Sequence, residues 1–316
     1  MPDMEEIKHM ILGIREADAA RISKMKLIGE KLVIPCRDCD IKVYFYKSSK
    51  AGLNPVLFDI HGGGYAMGDA AVQDKFCDRI RNRLDINVVT INYRLAPENP
   101  FPAATNDVYD VIKYFNDHSD NYNIDKNKMA VGGHSAGGNL TAVTAIKAKK
   151  TGDFELKCQI LDYPFMDTAT DPFSKPQFKQ AIPPFMGLAF NNMYSKPEER
   201  TNPYVSPVYA SLEDLKGLPP AVVITAEHDS LCAEGEKYAS MLIQAGVPVF
   251  SRRFLGAVHG FIETGSDMEI LEMLPPEMKA GYPSNLKEIA DEGIGLIIRM
   301  LQYYLRDFKL DCQNEQ

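Results

Sequence analysis

The segment Gly132-Gly133-His134-Ser135-Ala136-Gly137-Gly138 carries the sharpest chemistry in the chain. It contains G-x-S-x-G, a pattern short enough to arise by chance. Its context gives it meaning. The apolar run KMAVGG leads in, and AGGNLTAVTAIKAKK leads out to Lys149, Lys150 and Gly152, which suit a helix C-terminus. Between a strand and a helix, the pattern describes a sharp turn that presents Ser135 as a nucleophile. Such a turn brings backbone segments close together, so the flanking positions must lack bulk, as Gly133 and Gly137 do. N–H groups at the helix N-terminus favour developing negative charge.

A second cluster, His61-Gly62-Gly63-Gly64-Tyr65, follows the run PVLFDI. Glycines there let the backbone approach a ligand. A phosphate loop would need a G-K-[ST] ending, which this segment lacks. Beside a serine nucleophile, the cluster reads as an oxyanion hole, with N–H groups of Gly63, Gly64 and Ala136 as donors. His61 reads as a support for that loop rather than a proton carrier.

A serine nucleophile needs a base, and the base needs an orienting carboxylate. In this strand–turn–helix setting they follow in the order Ser, Asp/Glu, His. The run AVVITA is followed by Glu227-His228-Asp229-Ser230-Leu231, and VPVFSRRF by Leu255-Gly256-Ala257-Val258-His259-Gly260-Phe261. Of the six histidines, His259 has the right order and sits after a strand. His9 and His118 fall on expected helices, and His134 is locked beside the nucleophile with its ring directed beneath the turn. Asp229 is the candidate acid, with Glu227 and Glu234 as competitors. The histidines show no metal-ligand spacing, so no metal is expected.

These groups need a scaffold. Apolar residues at Ile7, Met10, Ile11, Ile14 and Ala17 predict a helix from residue 3 to about 25, with Asp3 and Glu6 at capping-box spacing. Short strands are expected at 31–35 and 41–47. Strands then alternate with helices: strands at 55–60, 86–93, 128–133, 157–163, 221–226 and 247–254; helices near 70–84, 103–118, 136–150, 233–245 and 285–307. This order predicts an α/β fold with a mostly parallel sheet covered on both faces. Residues 164–215 hold no clear strand and are rich in Pro and Phe. They are too long for a plain connection and read as an inserted cap. Of its large apolar side chains, Phe173, Phe178, Phe185, Met186, Phe190, Met193 and Tyr194 either line a pocket or pack the cap onto the body.

Composition excludes other classes. The 316 residues carry 35 Lys+Arg against 43 Asp+Glu, a net charge of −8, which argues against nucleic acid as a partner. No run of about 18 apolar residues exists, so no membrane span is expected. The N-terminus MPDMEEIKHM lacks an apolar signal core. Cysteines at 36, 39, 77, 158, 232 and 312 read as free thiols in a reducing compartment, implying a cytoplasmic protein. Cys36 and Cys39 read as flanks of a hairpin turn.

The motifs HGGG-Y (61–65), YRLAPENPFPAA (93–104), GHSAGG (133–138), NPYVSP (202–207), LPPAVVITAEHDSL (218–231) and VHGF (258–261) resemble the hormone-sensitive-lipase family of α/β-hydrolases, also called bacterial lipolytic family IV. They stand in family order. The resemblance implies a single α/β-hydrolase domain over 1–316, with an eight-stranded sheet and a helical cap built from about 1–28 and 164–215. It implies Ser135, Asp229 and His259 as triad and Gly63, Gly64 and Ala136 as oxyanion hole. It also implies hydrolysis of small-molecule esters with short acyl chains, acetyl esterase-like, without a cofactor, and it allows a homodimer. Departures stand at His134, where the family usually has Asp; at Tyr65, usually Trp; at Ser230, usually Pro; at Ala233, usually an acid; and at Asn99, usually His. Alternatives are an amidase or formamidase using the same triad, or a non-catalytic ligand-binding member of the fold. Against the latter, all three triad positions are filled. Among esterases, a sugar deacetylase stays open.

Overall fold

The apolar runs assemble side by side into one sheet. The computed structural model describes residues 4–179, 181–273 and 279–306. Among them, eight strands form the sheet: β1 (Glu30–Pro35), β2 (Asp40–Tyr46), β3 (Asn54–Ile60), β4 (Asn87–Ile91), β5 (Ile124–His134), β6 (Cys158–Asp162), β7 (Ala221–His228) and β8 (Val249–Val258). Their order is β1-β2-β4-β3-β5-β6-β7-β8. The first two pairings, β1 with β2 and β2 with β4, are antiparallel, and the others are parallel. Cys36 N–H donates to the Cys39 carbonyl at 3.2 Å, closing the hairpin as expected. Asp3 and Cys312 lie outside the described residues; the other five cysteines are free thiols.

Helices α1 (Met4–Ile22), α2 (Asp74–Leu84), α3 (Ala103–Asp117), α4 (Ala136–Thr151), α5 (Pro184–Tyr194), α6 (Leu212–Leu215), α7 (Cys232–Gln244), α8 (Phe261–Ser266), α9 (Met268–Met273) and α10 (Leu286–Leu305) accompany the sheet. Strand residues alternate between the two faces. Val56, Phe58 and Ile60 of β3 join Val108 and Ile112 of α3 in one buried cluster. Leu57, between them, joins Ile80 of α2 and Ile297 of α10 on the other face. The expected elements are present within a few residues of their predicted ends. The short helices α8 and α9 were not expected, because six residues are too few to show a helical repeat.

Residues 164–215 contain α5, α6 and short 3-10 turns, and no strand among the described residues. Buried side chains of the body hold this segment. Asn139 Nδ2 donates to the carbonyls of Phe165 and Val205 at 2.8 and 2.9 Å. Glu234 Oε1 accepts from the N–H groups of Met166 and Asp167 at 2.7 and 3.1 Å. Helix α1 packs against α5, and its Arg15 pairs with Glu98 at 2.8 Å. No helix among the described residues is long and apolar enough to cross a membrane.

Candidate active site

Strand β5 runs into α4 through a one-residue turn. Ser135 takes φ +55° and ψ −115°, a backbone conformation costly for a side chain with a Cβ. Hydrogen bonds on both sides hold it there. Ser135 N–H donates to the Asp162 carbonyl at 2.9 Å, and Phe165 N–H donates to the Ser135 carbonyl at 3.0 Å. The flanking glycines are required by contact. A Cβ on Gly133 would run into the Gly137 carbonyl, and one on Gly137 into the Ile60 carbonyl.

The three candidate catalytic side chains meet although they come from separate strand ends. Ser135 Oγ lies 3.0 Å from His259 Nε2. His259 Nδ1 lies 2.7 Å from Asp229 Oδ2. Asp229 Oδ1 accepts from Leu231 N–H at 2.9 Å, which fixes the carboxylate plane. Asp229 is 1 % exposed and Ser135 5 %. Burial pushes the His259 pKa down, but the Asp229 charge and hydrogen bond, with Glu263 and Asp162 further off, outweigh it and leave the pKa raised.

The competing carboxylates have other partners. Glu227 Oε2 accepts from Gly256 N–H at 2.8 Å. Glu234 pairs with Lys175 at 2.5 Å. Neither has a hydrogen bond to His259. His9, His118 and His228 also have other partners. His9 and His118 each bond a carbonyl one helical turn back. His228 lies beside the Phe178 ring, half exposed.

The glycine cluster wraps beside Ser135. Gly63 and Gly64 adopt φ of +114° and +58°. A Cβ on Gly63 would strike the Met67 carbonyl, and one on Gly64 the Phe190 ring. His61 is buried under this loop, stacked on Tyr93 with ring centroids 4.3 Å apart. Its Nδ1 lies 2.7 Å from the Gly62 carbonyl and so carries the proton. Burial holds its pKa below the ordinary imidazole value. Tyr65 points into the cap, stacked on Tyr194 at 3.6 Å. Among the cap side chains, Phe190, Met193 and Tyr194 are buried in the core, whereas Phe173 and Phe178 are exposed.

Three acidic residues near the serine were not expected from sequence: Asp59, Asp162 and Glu263. His134 lies under the turn, with Nδ1 2.8 Å from Asp162 Oδ2 and Nε2 3.3 Å from Asp59 Oδ1. Glu263 of α8 accepts from Gln73 Nε2 at 2.6 Å and from the Tyr163 hydroxyl at 3.3 Å. Burial opposes a charge on His134, but Glu263, Asp162 and Asp59 outweigh it and raise its pKa well above the ordinary value. The available signal was a carboxylate inside an apolar strand, Asp59 in PVLFDI and Asp162 in QILDY. Such a group must be paired when buried.

Comparison with known proteins finds the same fold. A family model described as the alpha/beta hydrolase fold matches residues 57–263. The chain is similar to an arylesterase of Saccharolobus solfataricus, 35% identical over 244 residues, covering 74% of this chain and 78% of that protein. It is similar to the carboxylesterase NlhH of Mycobacterium tuberculosis, 33% identical over 232 residues, covering 71% of this chain and 72% of the other. Among solved structures, an esterase of Pyrobaculum calidifontis superposes with a TM-score of 0.75 at 32% identity, over 96% of this chain and 93% of that one.

Proposed function

The chain belongs to the α/β-hydrolase fold family, in its hormone-sensitive-lipase-like branch, and from that membership we propose that it is a serine carboxylesterase acting on small esters with short acyl chains. The observation that carries the reading is the unbroken line from Ser135 Oγ through His259 to Asp229, at 3.0 and 2.7 Å.

In the proposed mechanism, Ser135 Oγ attacks the ester carbonyl while His259 Nε2 takes its proton. Asp229 holds the Nδ1–H tautomer and stabilises the imidazolium. The N–H groups of Gly63, Gly64 and Ala136 receive the oxyanion. His61 keeps the glycine loop in place. The alcohol leaves with the proton from His259. Water then attacks the acyl-enzyme, with His259 again as base, and releases the acid. Every proton in this scheme moves between side chain, substrate and water, so the reaction requires no cofactor.

The short-acyl part of the proposal comes from the family resemblance, and the Phe190 ring packs directly on Gly64 of the proposed oxyanion loop. The cap of the proposal comprises about 1–28 and 164–215. A cytoplasmic enzyme is in keeping with free thiols at the five described cysteines. The family resemblance allows a homodimer, which sedimentation velocity tests.

The test is hydrolysis of p-nitrophenyl esters from acetate to decanoate, with Ser135→Ala as control. The rate is expected to peak at short chains and to fall about 10⁶-fold in the variant. Equal rates for both proteins on every ester would overturn the reading. A matching amide, turned over faster than its ester, would replace it with an amidase.

A further inference from the structure

We propose that His134 is a positioning residue: its imidazolium, clamped between Asp162 and Asp59, ties the strand end that carries Ser135 to the strand end that leads into the oxyanion loop. This rests on the esterase reading. It adds a second, basic pH limit to the reaction.

The register makes the clamp possible. Strand β5 lies between β3 and β6, with Asp59 opposite Gly132 and His134 opposite Asp162. His134 is the last residue of β5, one before Ser135. Its ring reaches sideways to both neighbours, 2.8 Å to Asp162 Oδ2 and 3.3 Å to Asp59 Oδ1. Asp59 stands two residues before His61, at the root of the glycine loop. Asp162 also supplies the carbonyl that holds Ser135 N–H. One ring therefore spans the segments that set the distance between nucleophile and oxyanion donors.

The ring does this as a cation. A neutral imidazole has one N–H and one lone pair, whereas the imidazolium has two N–H groups. Two carboxylates on two sides of a ring 2 % exposed leave the lone pair facing a negative charge if the proton departs. Asp59 is further fixed by the Thr90 hydroxyl at 3.2 Å and the Cys77 thiol at 3.6 Å. His134 Nε2 and Asp162 Oδ1 are both buried without a hydrogen-bond partner, so the ring meets Asp59 as an ion pair at 3.3 Å rather than through a hydrogen bond, and that contact needs the charge. The other groups facing the ring are the Tyr163 hydroxyl, 3.4 Å from Nδ1, and Glu263 behind it. Phe76 meets the ring edge-on, and Ile297 of α10 closes the small cavity beside it. No second cation is among these groups. Deprotonation leaves the carboxylates of Asp59 and Asp162 facing each other across a neutral ring, so the two strand ends are expected to separate.

The test has two readouts on the full chain. First, kcat and KM are measured from about pH 5 to about pH 10 for the wild type, His134→Gln and Asp59→Asn. The wild type is expected to lose kcat on a basic limb. His134→Gln is expected to lower kcat about ten- to hundredfold near neutral pH, with KM within about threefold, and to abolish the basic limb while the acid limb remains. Asp59→Asn is expected to move the basic limb to lower pH. A residue that merely fills space would leave the limb in place. Second, ¹⁵N-histidine NMR should show His134 doubly protonated at about pH 8. If His134→Gln does not fold, Asp59→Asn and the NMR titration still decide. A neutral His134 at that pH, or a basic limb unchanged in the folded variants, overturns the proposal. Absence of ester turnover by the wild type would overturn the esterase reading instead, while the NMR titration still reports the state of the clamp.

Discussion

Glu227 accepts the Gly256 N–H at 2.8 Å and so ties the loop that carries Asp229 to the strand end that carries His259. This carboxylate bonds Gly256, whereas Asp229 bonds His259. It holds the two loops in register from outside. Glu227→Ala is expected to lower kcat about three- to tenfold with little change in KM, because a partly exposed hydrogen bond contributes about 1 kcal/mol. Steady-state kinetics on a short ester check this. A loss as large as that of Asp229→Asn would reassign the acid.

Gly64 and Phe190 form a second matched pair. Gly64→Ala is expected to cost about 100-fold in kcat, since the new methyl meets the Phe190 ring at a position with φ +58° and displaces a proposed oxyanion donor. Phe190→Ala is expected to destabilise the fold by about 3 kcal/mol and to shift the best substrate toward longer acyl chains. The double variant should recover part of the Gly64→Ala loss. A double-mutant cycle with no coupling would show that the ring and the loop act separately.

The pH dependence has a definite sign. In the proposed mechanism His259 accepts the Ser135 proton only when neutral, and burial lowers its pKa less than Asp229 raises it. The acid limb of kcat/KM is therefore expected to have its midpoint above pH 6.5. Stability runs the other way. Because the folded pKa exceeds the unfolded one, the His259–Asp229 pair contributes fully below about pH 6.5, and its contribution is lost as pH rises through the folded value. Rate and thermal-unfolding profiles measured together test both limbs. A rate midpoint below pH 6.5 would contradict the described geometry.

Lys175 and Glu234 pair at 2.5 Å with both side chains 8 % exposed. Burial pushes the Glu234 pKa up to about 7 despite the Lys175 charge. Lys175→Met removes the cation and leaves the carboxylate buried. Removing Lys175 also removes the charge that lowers the Glu234 pKa, so the loss is expected to grow as pH rises above 7, toward about 3–5 kcal/mol once the unpaired carboxylate is ionised. It shrinks below pH 7, where Glu234 takes a proton. Urea denaturation at two pH values checks the difference, and equal losses would contradict it.

The residues proposed as nucleophile, base and oxyanion loop were legible because each lies at the end of an apolar run. In a parallel sheet, such ends gather on one edge. Gly133 and Gly137 were legible because a sharp turn leaves no room for a Cβ, a local requirement. The chain order of Ser135, Asp229 and His259 then followed from strand succession. Tertiary structure decided what depends on sheet order and register. It separated Asp229 from Glu227 and Glu234, which are close in sequence but point to different partners. It set Phe190 on Gly64 across the cap. It also brought Asp59, His134 and Asp162 together from three strands, because side chains on adjacent strands meet only where the register aligns them. Sequence alone determined which groups can do the chemistry. The fold decided which charges surround them.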